Sequence, residues 1–582
     1  MCGIFAILNA GNTESHYLIN NDLIQKSFDK GSSRGPEYSI LKEYHNLKLG
    51  FHRLAINGLN NNSNQPFEIN DIILICNGEI YNFKKLAITN NINLNTKSDC
   101  EIIIHMYLKY GLEYTLSLLD GVFSFILYDK KKDLLHISRD PYGVRPLFYF
   151  IDKNVLCFAS EIKVLYDLTI YKSKINHFQP GTYMTFNSIS LNKKLDYYSK
   201  QYITFPVSNI NYDDNIEILY KNVVDKLSDA IKKRVYGTCE RQIGCLLSGG
   251  LDSSLVAALV NKYYSAFSSE KLETFSIGLE GSEDIKNAAI VAKYLDSKHH
   301  EIILTDDDFF YSIPQVIKNI ESFDTTTIRA SVGNYLLGKY IKNNTNCKVI
   351  FNGDGADELM GGYLYFKESP NFYEFDKECK RLLSEIYKFD VLRSDRCISS
   401  HGLEPRTPFL DKSFVEYYLT IDKKLRFDTN KYNCEKFIIR KSFDYILPDI
   451  LPQEILWRTK EAFSDGVSSY KKSWYEIINE KITSICKYDP KLNYEIISLI
   501  NFYSKFINIK NKPITYEHAY YRLLYNKYYN GTDNLIDYYW MPKFVCANDA
   551  SARTLKLYSK NNSNSNNSNS NNNNNNNNNN LY

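Results

Sequence analysis

Over the first 205 residues the apolar positions fall in short runs, broken every few residues by Gly, Asn, Asp or Pro. FHRLAI (51–56), DIILIC (71–76), GVFSFILYD (121–129), LLHIS (134–138), PLFYF (146–150), VLCFAS (155–160) and GTYMTF (181–186) are rich in β-branched and aromatic residues and bounded by turn formers, a pattern that predicts strands. Helical spacing interrupts them near 22–30 and 99–109. Sheets covered by a few helices, an α+β layering, follow from that order. Residues 206–215, PVSNINYDDN, are polar and turn-rich and predict a linker. The period then changes. Leu219, Val223, Leu227, Ile231 and Val235 recur every four residues, the apolar face of a helix. GCLLS (244–248) predicts a buried strand, with Leu255, Val256, Leu259, Val260 and Tyr263 marking the helix behind it. LETFSIGL (272–279) and KVIFNGDG (348–355) predict two further strand-then-loop units, so this half predicts a parallel α/β sheet. Residues 360–545 read as mostly helical. From about 561 the chain is nearly pure Asn and Ser, which cannot bury a core and predicts a disordered tail.

Composition narrows the class. The 582 residues are 44% hydrophobic and 24% charged, ordinary for a globular protein of several domains. A formal net charge of +3 argues against a nucleic-acid or membrane-surface partner, either of which calls for a basic patch. None of the twelve cysteines forms a Cys-x-x-Cys pair, so neither a zinc site nor a thioredoxin motif is predicted, and scattered single thiols suit a reducing compartment. No apolar run approaches the roughly 18 residues of a membrane span. The start, MCGIFAILNAGN, lacks the basic segment of a secretory signal. These features predict a cytoplasmic protein with neither nucleic acid nor membrane as partner.

Candidate chemistry begins at Cys2. Behind the initiator Met, it would carry a thiol and a free α-amine on one residue once Met1 is removed. The amine has an unperturbed pKa of roughly 7.7–8.0, close to the thiol's roughly 8.5, so it can serve as the base that activates its own nucleophile. On Cys2 alone, a small residue that merely permits Met removal is the better account of the pattern. A second signal follows the predicted strand 244–248: Ser248-Gly249-Gly250-Leu251-Asp252-Ser253-Ser254 opens a helix. Glycines let the backbone approach an anion, and the helix start offers unpaired N–H groups. Asp252 would reach phosphate only through a bound Mg²⁺. The loop lacks the Gly-Lys-Ser/Thr ending of a Walker loop and suits pyrophosphate, with ATP cleaved between its α and β phosphates. The acidic loop Gly353-Asp354-Gly355-Ala356-Asp357-Glu358 also follows a strand, which places it at the carboxyl edge of the sheet, where ligands bind; Asp357 is the second Mg²⁺ candidate.

An N-terminal Cys-Gly-Ile joined to SGGLDSS resembles the glutamine-hydrolysing asparagine synthetases. The likeness runs from residue 1 to about 560 and includes RDPYGVRPLFYF (139–150), SFDTTTIRAS (322–331), HGLEPRTPFLD (401–411), WRTKEAFSDG (457–466), YYWMPKF (538–544) and SARTL (551–555), the last two resembling the eukaryotic branch. The resemblance implies an N-terminal nucleophile hydrolase sandwich over 1–205, the linker 206–215, an α/β ATP pyrophosphatase domain over 216–560 and a tail over 561–582. It implies that Arg53 binds the α-carboxylate of glutamine, Asp99 its ammonium, and that Glu79 orients it. Asn77 and the N–H of Gly78 would form the oxyanion hole for attack by Cys2. In the second half, Leu247 and Ile277 would flank adenine and ribose, with Asn352 and Gly353 also at the nucleotide. Ser248, Gly249, Gly250 and Ser253 would bind pyrophosphate. Thr326 and Arg329 would hold aspartate or β-aspartyl-AMP, Asp354 would serve the adenylate, and Lys460 would neutralise phosphate charge. ATP, Mg²⁺, an ammonia tunnel and a homodimer are implied too. The chain departs from the family where Asp354 stands for the usual Glu, where Ala356 replaces a Ser, and where Ser33 precedes Arg34-Gly35-Pro36 and Glu37 follows them. Two other readings are amidation or cyclisation of a different carboxylate, as in β-lactam synthetase relatives, and a non-catalytic scaffold. Cys2 and the SFDTTTIRAS segment disfavour the first, and retention of Cys2, Arg53, Asn77, Asp99, Asp252 and Lys460 disfavours the second.

Overall fold

The computed structural model describes residues 1–9, 19–152, 155–187, 196–208, 215–238, 240–460, 466–468, 472–547 and 549–555. Most of the expected linker, the tail from 561, and residues 461–465 of WRTKEAFSDG lie outside the described residues.

Twelve strands build the amino-terminal half: β1 (Gly3–Asn9), β2 (Tyr38–Tyr44), β3 (Leu47–Arg53), β4 (Phe67–Ile69), β5 (Ile72–Ile80), β6 (Gly121–Asp129), β7 (Leu134–Arg139), β8 (Phe148–Asp152), β9 (Val155–Ala159), β10 (Asn176–His177), β11 (Thr182–Asn187) and β12 (Asp196–Gln201). They form two six-stranded sheets, in the orders β10-β8-β9-β1-β3-β2 and β12-β11-β7-β6-β5-β4, with antiparallel pairs throughout. Alternation along β1 explains why its run looks continuously apolar. Ile4, Ala6 and Leu8 face the second sheet, with Leu49, Phe51, Ile73, Ile75, Ile126 and Ile137 around them. Phe5 and Ile7 point the other way, against Ile24 and Phe28 of the helix Asn21–Asp29. On the far side of the second sheet, Leu74, Cys76, Phe123, Phe125 and Leu127 pack under the helices Phe83–Asn90, Ile102–Tyr110 and Leu112–Leu118. Helices therefore cover both outer faces of a sandwich, the N-terminal nucleophile hydrolase layering.

The second half holds one parallel sheet, in the order β15-β14-β13-β16-β17, from β13 (Ile243–Leu246), β14 (Glu273–Leu279), β15 (Lys298–Leu304), β16 (Val349–Phe351) and β17 (Glu404–Arg406). The helix Ile216–Tyr236 buries Leu219, Val223, Leu227, Ile231 and Val235, as its spacing predicts, and packs with the helix Leu251–Tyr264 on one face. The helices Asp306–Ile320 and Thr325–Asn344 cover the other. Loops at the carboxyl ends of β13, β14 and β16 converge on one cavity. Among the described residues no helix is long and apolar enough to cross a membrane.

Candidate functional site

Cys2 lies just ahead of β1, in the first sheet. Its backbone N–H donates to Asn77 Oδ1 of β5, in the second sheet, at 3.2 Å, so the contact joins the two layers at one end of the sandwich. Cys2 Sγ sits 3.7 Å from the carbonyl oxygen of Leu54. Burial pushes the thiol up to about 11. Met1 precedes it, and the Met1 ammonium pairs with Glu404 at 3.3 Å while burial lowers its pKa. Asn77 Nδ2 is buried with no hydrogen-bond partner, a donor waiting for an acceptor. Gly78 is required by close approach, since a Cβ there would lie 2.6 Å from Val122 O.

Arg53 ends β3, and neutral oxygens hold its guanidinium. It donates to the carbonyls of Asn57, Gly58 and Asn60 and, at 2.6 Å, to Asn64 Oδ1. Among the described residues no carboxylate comes within ion-pair distance of it, which leaves its charge available to an anionic ligand. Glu79 accepts from Asn57 Nδ2 at 2.8 Å, and the Arg406 guanidinium lies 3.4 Å away. Asp99 Oδ2 accepts from the N–H of Ile80 at 2.6 Å. Burial raises both carboxyls, and the charge of Asp99 raises Glu79 further. Asn57 touches both Arg53 and Glu79, so the cation and this carboxylate are joined through one residue.

The second site is a cavity of about 220 Å³ lined by Leu247, Ser248, Gly250, Asp252, Ser253, Ile277, Thr326, Asn352, Gly353, Asp354, Asp357 and Lys460, the expected residues that it brings together. Its loop is preformed. Ser248 and Ser253 hydroxyls lie 3.0 Å apart, and Ser253 Oγ also receives the N–H of Ser248 at 3.2 Å. Gly249 has φ +68°, and a Cβ there would lie 2.4 Å from the Asn287 backbone, so it packs the loop without lining the cavity. Asn352 Nδ2 donates to Ser394 Oγ at 2.5 Å.

Charge at this site is paired across the fold. Lys436 Nζ bonds Asp252 Oδ2 and lies 2.5 Å from Asp357 Oδ1, and Lys460 Nζ bonds Asp357 Oδ2 at 2.7 Å. Burial would raise the Asp357 carboxyl, but the two ammonium groups outweigh it and hold the group well below its ordinary range. Burial would likewise lower Lys460, and the carboxylates of Asp357 and Asp252 reverse that. Lys436 was not foreseen; it sits in the polar run Asn433-Cys434-Glu435-Lys436, where no motif marks it. Its φ of +57°, uncommon for a non-glycine residue, directs a buried ammonium at two carboxylates. Asp354 accepts from Arg393 Nη2 at 2.8 Å, and Arg393 Nη1 pairs with Asp390 at 2.8 Å. Burial raises the Asp354 carboxyl, partly offset by Arg393.

Arg329 stands apart from the other expected residues of the second site. Although it follows Thr326 by one turn, it does not line the cavity. Its Nε and Nη2 donate to Glu517 at 2.9 and 2.5 Å, and Nη1 and Nη2 donate to Asp549 at 2.7 and 2.8 Å. Two carboxylates of the chain itself thus occupy most of its donors.

A candidate N-terminal nucleophile beside a free amide donor, and a glycine-rich anion loop facing paired carboxylates and lysines, define a two-site glutamine amidotransferase of the N-terminal nucleophile and ATP pyrophosphatase type. Sequence profiles agree: a glutamine amidotransferase domain matches residues 1–209, and asparagine synthase matches residues 222–376 and 368–487. Asparagine synthetase (glutamine-hydrolyzing) of Gallus gallus is 39% identical over 583 residues, covering 96% of this chain and 99% of that protein. The Homo sapiens protein of the same name is 38% identical over 592 residues, with the same coverage. The chain belongs to the family of glutamine-hydrolysing asparagine synthetases.

Proposed function

We propose that the chain makes L-asparagine from L-aspartate, L-glutamine and ATP, releasing L-glutamate, AMP and pyrophosphate. The observation that carries this reading is the partnerless Asn77 amide beside Cys2, in the same chain as the Ser248–Ser253 loop facing Asp357 and Lys460. After removal of Met1, the α-amine of Cys2 takes the thiol proton and the thiolate attacks the amide carbon of glutamine. Asn77 Nδ2 and the N–H of Gly78 donate to the oxyanion. The C–N bond breaks, the amine returns its proton to the leaving ammonia, and water frees glutamate from the thioester. Arg53 holds the α-carboxylate, Asp99 the ammonium, and Glu79 orients both.

In the second cavity Leu247 and Ile277 pack against adenine and ribose, while Asn352 and Gly353 border the α-phosphate. Ser248, Gly249, Gly250 and Ser253 take the pyrophosphate. Thr326 positions aspartate, whose side-chain carboxylate attacks the α-phosphorus. Lys460, joined by Lys436, offsets negative charge as the phosphoanhydride breaks. Ammonia then displaces AMP, with Asp354 as the group that accepts a proton from the incoming nitrogen. Asp252 and Asp357 would hold Mg²⁺. Asp252 Oδ1 is buried with no donor, and no cluster of three or more metal-ligating side chains exists among the described residues. Lys436 and Lys460 bond both oxygens of Asp357, so an ion there would share them with the two ammonium groups, take its remaining ligands from water and phosphate, and supply charge neutralisation. The free thiols support a cytoplasmic setting; a homodimer rests on family likeness alone.

The test is product analysis with ATP, Mg²⁺ and labelled aspartate, using glutamine or ammonium as nitrogen source. Asparagine, AMP and pyrophosphate from either source support the reading. Adenylation of another acid in preference to aspartate sinks it.

A further inference from the structure

Four residues that line the second cavity come from the last described stretch of the chain: Trp540, Pro542, Ala550 and Leu555. Among the described residues of 538–555 the only regular turn is Ala552–Thr554, so no sheet or helix ladder keeps this stretch in place. Side chains of other elements hold it instead. The N–H of Trp540 donates to Asp324 Oδ1 at 2.8 Å, and Thr326 Oγ1 donates to the carbonyl of Trp540 at 3.4 Å. The Trp540 ring packs on Tyr363 with centroids 5.4 Å apart, and Lys543 pairs with Glu378 at 3.4 Å. At the far end stands Asp549. It receives Arg329 through both carboxylate oxygens, and its Oδ1 also accepts the N–H of Ser551 at 2.8 Å, shaping the turn that delivers Ala550 and Leu555 to the cavity. Arg329 is fixed in turn by Glu517 and by the face of Tyr475, 4.7 Å from its guanidinium carbon.

We infer that the described residues of 538–555 are a wall of the synthetase cavity latched by the Arg329–Asp549 pair, which makes Asp549 a positioning residue for the amidation half-reaction. This rests on the function proposed above. β-Aspartyl-AMP is a mixed anhydride. Water attacking its acyl carbon breaks the C–O bond to phosphate and returns aspartate and AMP, consuming ATP without making asparagine. An apolar wall of Trp540, Pro542 and Leu555 excludes that water while ammonia enters from the other half. Arg329 thereby acts on the intermediate through the wall, one helical turn beyond Thr326.

The geometry allows a sharp alternative: Asp549 sits on Arg329 as a carboxylate in place of the substrate's own. The two differ in sign. Asp549→Asn is assayed in the full chain with ammonium as nitrogen source, measuring AMP released per asparagine and the KM for aspartate, with glutamine hydrolysis as a control for folding. The latch predicts an AMP-to-asparagine ratio raised at least about threefold, with glutamine hydrolysis within about twofold of the parent. Asp549→Glu should restore the ratio in part. Leu555→Ala, which touches no ion pair, should raise it as well and covers the case in which Asp549→Asn folds poorly. An unchanged ratio in both Asp549→Asn and Leu555→Ala overturns the inference. So does a lowered KM for aspartate at an unchanged ratio, which would hand Arg329 to the substrate. If the parent chain itself makes no asparagine, the proposed function fails first.

Discussion

Arg34 grips Asp395 through two hydrogen bonds, of 2.7 and 3.1 Å, and gives its Nε proton to the carbonyl oxygen of Cys2 at 3.0 Å. One buried side chain thus ties the amino-terminal nucleophile to the synthetase half. Removing one partner leaves the other only its longer pair, Asp395 to Arg396 at 3.5 Å or Arg34 to Glu161 at 3.6 Å, in a dry setting where losing a partner costs roughly 3–5 kcal/mol. Arg34→Met should lower the unfolding free energy by about that much, and Asp395→Leu by a similar amount. The double variant should recover most of the loss, because neither charge is then stranded. Denaturant titration decides it: strictly additive losses would mean that the two residues do not act as a unit.

Glutamine hydrolysis should depend on an amine that Cys2 does not have while Met1 remains. A form that retains Met1 should make asparagine from ammonium and not from glutamine, and Cys2→Ala should behave the same way. In the processed form the acid limb of glutamine hydrolysis should lie below the roughly 7.7–8.0 of a free α-amine. Burial disfavours the cationic amine, as it does for Met1, so the basic form persists to lower pH. A pH profile of the initial rate checks this, and a limb above pH 8 would contradict it.

Lys460 and Lys436 share the work of two carboxylates, so each should be separable from the first site. Lys460→Met should slow aspartate-dependent exchange of pyrophosphate into ATP by about 10²–10³-fold and leave glutamine hydrolysis nearly unchanged. A stability signature accompanies it. The lysines hold the Asp357 carboxyl below its ordinary value, so the pair stabilises the fold above an unfolded pKa of roughly 3.9, and that contribution fades as pH falls through the lower folded value. The stability gap between parent and Lys460→Met should be full above about pH 5 and shrink below about pH 4. A gap independent of pH would place the effect elsewhere.

What was legible in the sequence is what chemistry forces to be contiguous. The Ser248–Ser254 loop must join a strand to a helix start, so it could be read directly; Asn77, Gly78 and Glu79 entered through the resemblance, since the run read as a strand stops at Cys76. Lys436 and Asp549 escaped because their meaning depends on partners 184 and 220 residues away, Asp252 and Arg329. Arg329 was read as a substrate contact from the segment around it; nothing local shows that carboxylates of the chain itself already occupy it.

Asp354 stands where the resemblance implies a longer Glu, and the fold holds the shorter side chain in place. Arg393 reaches Asp354 Oδ1 at 2.8 Å while its other arm holds Asp390, so the carboxylate is fixed despite the missing methylene. Burial raises its pKa, which brings it closer to the value a proton acceptor needs. Adenylation requires no base, because the attacking aspartate carboxylate is already ionised; attack by ammonia does, because the nitrogen must shed a proton. Asp354→Asn should therefore keep pyrophosphate exchange within a few-fold of the parent and lower ammonium-dependent asparagine formation by about 10²–10⁴-fold. Asp354→Glu should retain synthesis if Arg393 can yield by one methylene. Loss of exchange and synthesis together in Asp354→Asn would assign the carboxylate to forming the adenylate instead of using it.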